Sequence, residues 1–251
     1  MGRFFSFSFF RAGLGLGFLL PLPLLATWHF FVVFAYFGYL VQLFGTMLRA
    51  YVLAQSNSSS VRLTLERGDL TKWAPRLVTA NSAAIANAAN ERMLGGGGVD
   101  GAIHRAAGQA LLEACRNVPE TRPGIRCPTG EARITSAGNL GVANVIHTVG
   151  PIYDAANPSE SKALLTRAYA NSLAVAAENQ ISAVAFPAIS CGVFGYPIPD
   201  AAHVAVEQAV MHATSETTTL KEIAFVLFDN TCYDAWVDAV RTQNLESVEI
   251  A

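Results

Sequence analysis

Four consecutive glycines, Gly95 through Gly98, run directly into Val99-Asp100-Gly101-Ala102-Ile103-His104. Ordering such a run costs much backbone entropy, so a fold that keeps it needs positive φ angles or a close approach to the main chain. Ile103, Ala106, Ala107, Ala110, Leu111 and Ala114 recur at helical spacing and predict one amphipathic helix after the loop. Loop amides leading into a helix N-terminus make an anion site, which points to a phosphate-bearing ligand. A flexible connector is the competing reading, although connectors more often mix Gly with Ser and need not abut a helix.

Two phosphate motifs can be tried on this loop. The P-loop fails, because no Gly-Lys-Ser/Thr follows. Gly96, Gly98 and Gly101 match the GxGxxG spacing, but Glu91-Arg92-Met93-Leu94 separates the preceding strand from the loop, so a dinucleotide-binding Rossmann site is only a runner-up. Asp100 reads either as a helix cap or as a functional carboxylate. Asn87 and Asn90 stand just before the loop, where an amide offers a donor and an acceptor to ribose hydroxyls. A second loop, Pro187 through Pro197, follows an apolar strand, carries Gly192 and Gly195, and precedes a helix opening near Pro199 and Asp200. It can close over the other side of a diphosphate, or be an ordinary strand-to-helix turn.

Around these loops, Val61–Glu66, Ala83–Asn87, Asn144–Thr148, Ala183–Pro187 and Glu222–Phe228 read as strands. Leu164, Leu165, Ala168, Leu173 and Ala176 supply another helical face. The alternation predicts a layered α/β domain over residues 61–251. Ahead of it, residues 55–60 (QSNSSS) read as a Ser-rich linker, and residues 1–54 as an apolar segment. Arg3, Arg11 and Arg49 are the only charged side chains before residue 61, and residues 24–48 exceed the roughly 20 apolar residues that span a bilayer, a candidate transmembrane helix and membrane anchor. A cleaved targeting segment or an upstream start are the alternatives.

The remainder carries 14 basic against 19 acidic residues with no Lys/Arg stripe, so no specific nucleic-acid binding is expected. Cys115, Cys127, Cys191 and Cys232 are widely spaced without CxxC or metal-ligand spacing, which suits free thiols in a reducing compartment such as cytoplasm or nucleus. His104 and His147 lie on an apolar helix and strand, where a hydrogen-bonded structural role is the ordinary one.

Several strings occur together and in order: Gly68-Asp69-Leu70-Thr71, Asn87-Ala88-Ala89-Asn90, Leu94 through Arg105, Cys127 through Ala132, Val145 through Pro151, and Ala185 through Pro197. This set resembles the macro domain, specifically its MacroD-type ADP-ribosyl hydrolase branch, and Glu91-Arg92-Met93-Leu94 with Pro123 through Cys127 resembles plant members of it. The resemblance implies a three-layer αβα fold with a mixed central sheet, acting as a monomer without cofactor or metal. It implies Asp69 on the adenine amino group with Leu70 beside it, and Gly96, Gly97, Gly98, Val99, Ser190, Cys191, Gly192 and Val193 around the diphosphate. Phe194 would pack on the distal ribose, Phe228 on the adenine, and Asn87 would join the ribose contacts. Asn90 would position the distal ribose and Asp100 would orient or deprotonate water, with helix amides favouring its ionised form.

The substrates implied are O-acetyl-ADP-ribose and proteins mono-ADP-ribosylated on Asp or Glu. A reader of ADP-ribose that turns nothing over, or a phosphatase on ADP-ribose 1″-phosphate, would use the same pocket. Lys72 through Ser82 departs from the family's compact link, which predicts a disturbed strand beneath the active loop.

Overall fold

The computed structural model describes residues 48–55, 60–215, 218–243 and 245–248. One eight-stranded sheet organises them, in the order β4-β5-β3-β6-β7-β2-β1-β8. The strands are β1 (Leu48–Gln55), β2 (Ser60–Arg67), β3 (Ala83–Ala88), β4 (Ala132–Ser136), β5 (Asn144–Thr148), β6 (Ala183–Phe186), β7 (Glu222–Leu227) and β8 (Glu246–Val248). Pairing is parallel from β5 through β3, β6 and β7 to β2, and antiparallel at both flanks. The parallel strands are buried on both faces, which is why they read as nearly continuous apolar runs.

Alternate residues feed two cores. Along β7, Ile223, Phe225 and Leu227 face the helices α3 (Pro158–Glu178), α4 (Ile198–Ala213) and α5 (Asn230–Arg241), where Tyr169, Ala205 and Trp236 meet them. Ala224 and Val226 face the opposite side, with Ile85, Val145 and the helices α1 (Gly98–Ala107) and α2 (Gln109–Asn117). The result is the three-layer αβα arrangement with a mixed sheet that the resemblance implies.

Four features differ from the sequence reading. The sheet begins at Leu48, ahead of the Ser-rich stretch, because β1 pairs antiparallel with β2 and buries Ala50, Tyr51 and Leu53. Of the candidate membrane span, residues 24–47 lie outside the described residues, as do 56–59 of the linker, and Leu48 opens β1. Among the described residues no helix is long and apolar enough to cross a membrane. The single helix expected from Ile103 to Ala114 is two, broken at Gly108, whose φ of 76° lies outside the helical region.

The Lys72–Ser82 departure leaves β3 undisturbed, in parallel register with both neighbours. A buried carboxylate absorbs it: Glu222 Oε2 accepts from the backbone amides of Arg76 and Leu77 at 2.8 and 3.2 Å, while Arg76 reaches Glu66 at 2.6 Å. The strands β1, β4 and β8 are additions to the expected set.

Candidate functional site

The glycine loop joins the end of β3 to α1, and its residues divide the work. Gly95 and Gly98 take φ of 86° and 58°, a region where side chains are strained. Gly96 is needed for close approach, since a Cβ there would lie 2.9 Å from Asp100 Oδ2 and 3.1 Å from Asn90 Nδ2. A Cβ on Gly97 or Gly98 would meet nothing within 4 Å, so both border open space. Gly97 is the N-cap of α1 with no capping side chain, and Gly101 N donates to Gly97 O across this first turn. The amides of Gly98, Val99 and Asp100 thus lack intrahelical acceptors, as at any helix start.

Asp100 sits in the first turn of α1, not at its cap, and is only 3% exposed. Its Oδ1 accepts from Asn87 Nδ2 at 2.8 Å, and Asn90 Nδ2, which donates to Gly95 O at 3.0 Å, lies 3.4 Å from Oδ2. His104 Nε2 is 3.4 Å from Oδ1 but has no hydrogen-bonding geometry. Burial pushes the Asp100 carboxyl above the usual carboxylate range, against the opposing pull of Asn87 and His104. This differs from the expectation of a weak base: desolvation is the largest influence on the carboxyl, and it raises the pKa.

Asn87 is corrected too. It is fully buried beneath Asp100 and, among the described residues, borders neither cavity between the loops; its amide holds the carboxylate. Its Nδ2 also lies 3.1 Å from His147 Nδ1, and His147 Nε2 lies 2.9 Å from Thr135 Oγ1, which donates to Ser136 O at 3.1 Å. A backbone carbonyl only accepts, so one direction runs through the chain: Thr135 donates to it, His147 donates from Nε2 to Thr135, and Nδ1 accepts from Asn87. The ring is therefore neutral, and burial holds its pKa down at about 3. His147 is a structural histidine, as its place on an apolar strand predicted. Sheet register builds this network, because Asn87 and His147 are parallel partners while Thr135 is diagonal to His147. His104, Cys115 and His147 bring ligand-type atoms within 4.8 Å of one another, but both His147 nitrogens are committed and burial pushes the Cys115 thiol up to about 11.

The second loop faces the first. Tyr169 Oη receives the Ile189 amide at 3.3 Å, and Tyr196 N donates to Ser190 O at 3.0 Å. Ser190 adopts a φ of 65° and presses against Gly150, where no Cβ would fit. Its buried Oγ has no hydrogen-bond partner, a cost that a bound polar group would relieve. Cys191 is half-buried with its thiol pushed up to about 12 by burial, which makes it inert as a nucleophile.

Between the loops lies a cavity of about 230 Å³ bordered by Asn90, Gly96, Gly97, Gly98, Val99 and Asp100 from one side and by Ser190, Gly192, Val193 and Phe194 from the other. Through Gly98, Val99 and Gly192 it continues into a cavity of about 500 Å³ bordered by Asp69, Leu70, Cys191 and Phe228. Asp69 is exposed, and its Oδ1 accepts from Thr71 N at 3.0 Å and Thr71 Oγ1 at 2.7 Å, bonds that lower its pKa. Phe228 is 85% exposed, an aromatic face without cover. Every expected site residue except Asn87 therefore borders this continuous cleft. Gly150, Ile189 and Arg105 also border it; each lies within a string that carries the resemblance but was given no role of its own.

Comparison with known proteins agrees with this architecture. The family model for the Macro domain matches residues 86–205. A macro domain-containing protein of Xanthomonas campestris is 44% identical over 183 residues, 73% of this chain and 97% of its own length. An O-acetyl-ADP-ribose deacetylase of Escherichia coli is 46% identical over 168 residues, covering 67% of this chain and 89% of the relative. Among solved structures, the Oceanobacillus iheyensis macrodomain with ADP superposes with a TM-score of 0.67 at 34% identity, over 79% of this chain and 98% of that one. The Trypanosoma brucei macrodomain in complex with ADP-ribose gives 0.61 at 31% identity, over 76% and 74%. From its glycine loop to its three-layer sheet, the chain belongs to the macro domain family.

Proposed function

We propose that this chain binds ADP-ribose along the cleft and hydrolyses carboxylic esters at the distal ribose, both O-acetyl-ADP-ribose and mono-ADP-ribosyl Asp or Glu on proteins. In this reading the adenosine occupies the cavity with Asp69, Leu70 and Phe228, and the diphosphate takes the free amides of the two loops. Relatives named O-acetyl-ADP-ribose deacetylase and a related structure in complex with ADP-ribose support the ligand.

The observation that carries hydrolysis is the Asp100 carboxylate, buried at the cavity wall beside Asn90 and lifted above the usual carboxylate range by desolvation. A carboxylate so lifted is a better base for water than an exposed one. Asn90 would hold the ribose, and Asp100 would orient water and take its proton. Water adds across the ester, the acyl group leaves as a carboxylic acid, and the ribose hydroxyl is restored.

The test is incubation of the full chain with O-acetyl-ADP-ribose and with a protein mono-ADP-ribosylated on glutamate, beside Asp100→Ala and Asn90→Ala. Turnover that falls by two or more orders of magnitude in Asp100→Ala, with ADP-ribose still bound, supports the reading. Tight binding without release above the variants would leave a reader.

A further inference from the structure

The cleft does not end at the ribose. On the far side of Asn90 and Phe194 a third cavity of about 420 Å³ opens, bordered also by Glu91, Arg92, Leu94, Gly95 and Ile152. Asn90 and Phe194 belong to this cavity and to the central one, just as Gly98, Val99 and Gly192 join the central cavity to the one with Asp69. Three cavities therefore lie in sequence, and the proposed seating of ADP-ribose takes two of them.

An acetyl group adds only two carbons beyond the ribose and would leave the third nearly empty. Its borders suit something larger. Ile152 is 71% exposed, and of the described large hydrophobics that stand exposed, it, Val193 and Phe228 all border the cleft. Arg92 is exposed, and its guanidinium makes no ion pair among the described residues. Glu91 also borders this cavity, and its Oε1 accepts from Thr129 N at 3.0 Å and Thr129 Oγ1 at 3.1 Å, which holds that carboxylate on Thr129 and not on the Arg92 guanidinium.

We propose that this third cavity is an acceptor subsite, which seats the glutamyl or aspartyl residue bearing the ADP-ribose with its flanking peptide, an acidic neighbour lying against Arg92. The subsite rests on ester hydrolysis at the distal ribose and makes protein-linked ADP-ribose the preferred substrate class.

The test compares two esters on the full chain and its Arg92→Glu and Ile152→Ser variants: O-acetyl-ADP-ribose, and a peptide ADP-ribosylated on a glutamate flanked by acidic residues. Arg92→Glu lowers kcat/KM for the peptide ester about tenfold or more, mostly through KM, and leaves the acetyl ester within about twofold. Ile152→Ser acts in the same direction. Equal losses on both esters, or none on the peptide, overturn the subsite.

A binding arm separates this outcome from failure of the hydrolase reading. In Asp100→Ala, the peptide conjugate binds about tenfold tighter than free ADP-ribose, and adding Arg92→Glu removes the difference. Equal affinities refute the subsite whatever the chemistry. Absence of turnover of either ester by the unsubstituted chain refutes hydrolysis.

Discussion

Acidification tests the buried network beneath the carboxylate. His147 is fully buried and neutral, with its pKa held at about 3 against 6.5 for a free imidazole. A depressed pKa means that below pH 6.5 the unfolded chain takes up a proton that the folded chain refuses. The stability this histidine contributes is complete above pH 6.5 and is lost as pH falls toward about 3, at about 1.4 kcal/mol per pH unit. From about pH 6.5 to about pH 4.5 the loss is about 3 kcal/mol, a large share of the roughly 5–15 kcal/mol that holds a domain folded. The loss is also local, because a protonated Nδ1 would point a second donor at Asn87 Nδ2 and release Asp100.

The assay is urea unfolding at the two pH values for the unsubstituted chain and for His147→Gln, which cannot titrate. Asp100 shifts in the opposite direction, but it is present in both chains, so the difference between their pH slopes reports the imidazole. Equal losses of stability in the two chains would refute the neutral, buried histidine.

Removing the Asn87 amide by Asn87→Ala deletes a bond that lowers the Asp100 pKa, so the acid limb of a kcat against pH profile moves to higher pH; an unmoved limb contradicts the proposed base. Gly101→Ala places a Cβ 2.5 Å from Gly96 O, and such overpacking costs about 1–3 kcal/mol, read as a lowered melting temperature together with weakened ADP-ribose binding in calorimetry. Cys191→Ser keeps turnover within severalfold, because a thiol pushed up to about 12 is not the nucleophile; loss of all activity would revive covalent chemistry. A chain begun at Val61 lacks β1, forfeits the burial of Tyr51 and Leu53, and strips β8 of its described neighbour. That loss is about 3–6 kcal/mol, so the shortened chain unfolds at lower urea or aggregates, and equal midpoints would show β1 to be dispensable.

Much of the site was legible because its loops carry their chemistry in the backbone. Four glycines before a helical apolar stripe leave few alternatives to an anion cradle, and the paired amide and acid stand within the same short string. The central strands were legible for a related reason, since strands covered on both faces read as nearly continuous apolar runs. The edge of the sheet was not. Residues 48–55 continue an apolar run that also fits a membrane span, and only pairing with β2 identifies Leu48–Gln55 as a strand. Polar, half-buried β4 carries too little apolar pattern to be seen.

Asn87 and Asn90 are equivalent donors in a linear chain. The parallel register sets Asn87 beside His147, under the acid, whereas Asn90 lies beyond the strand end and borders the cavity. The basicity of Asp100 was decided the same way. Sequence placed it at a helix start, where amides favour the carboxylate, but packing of α1 against the sheet buries the side chain, and desolvation is the largest influence on its pKa.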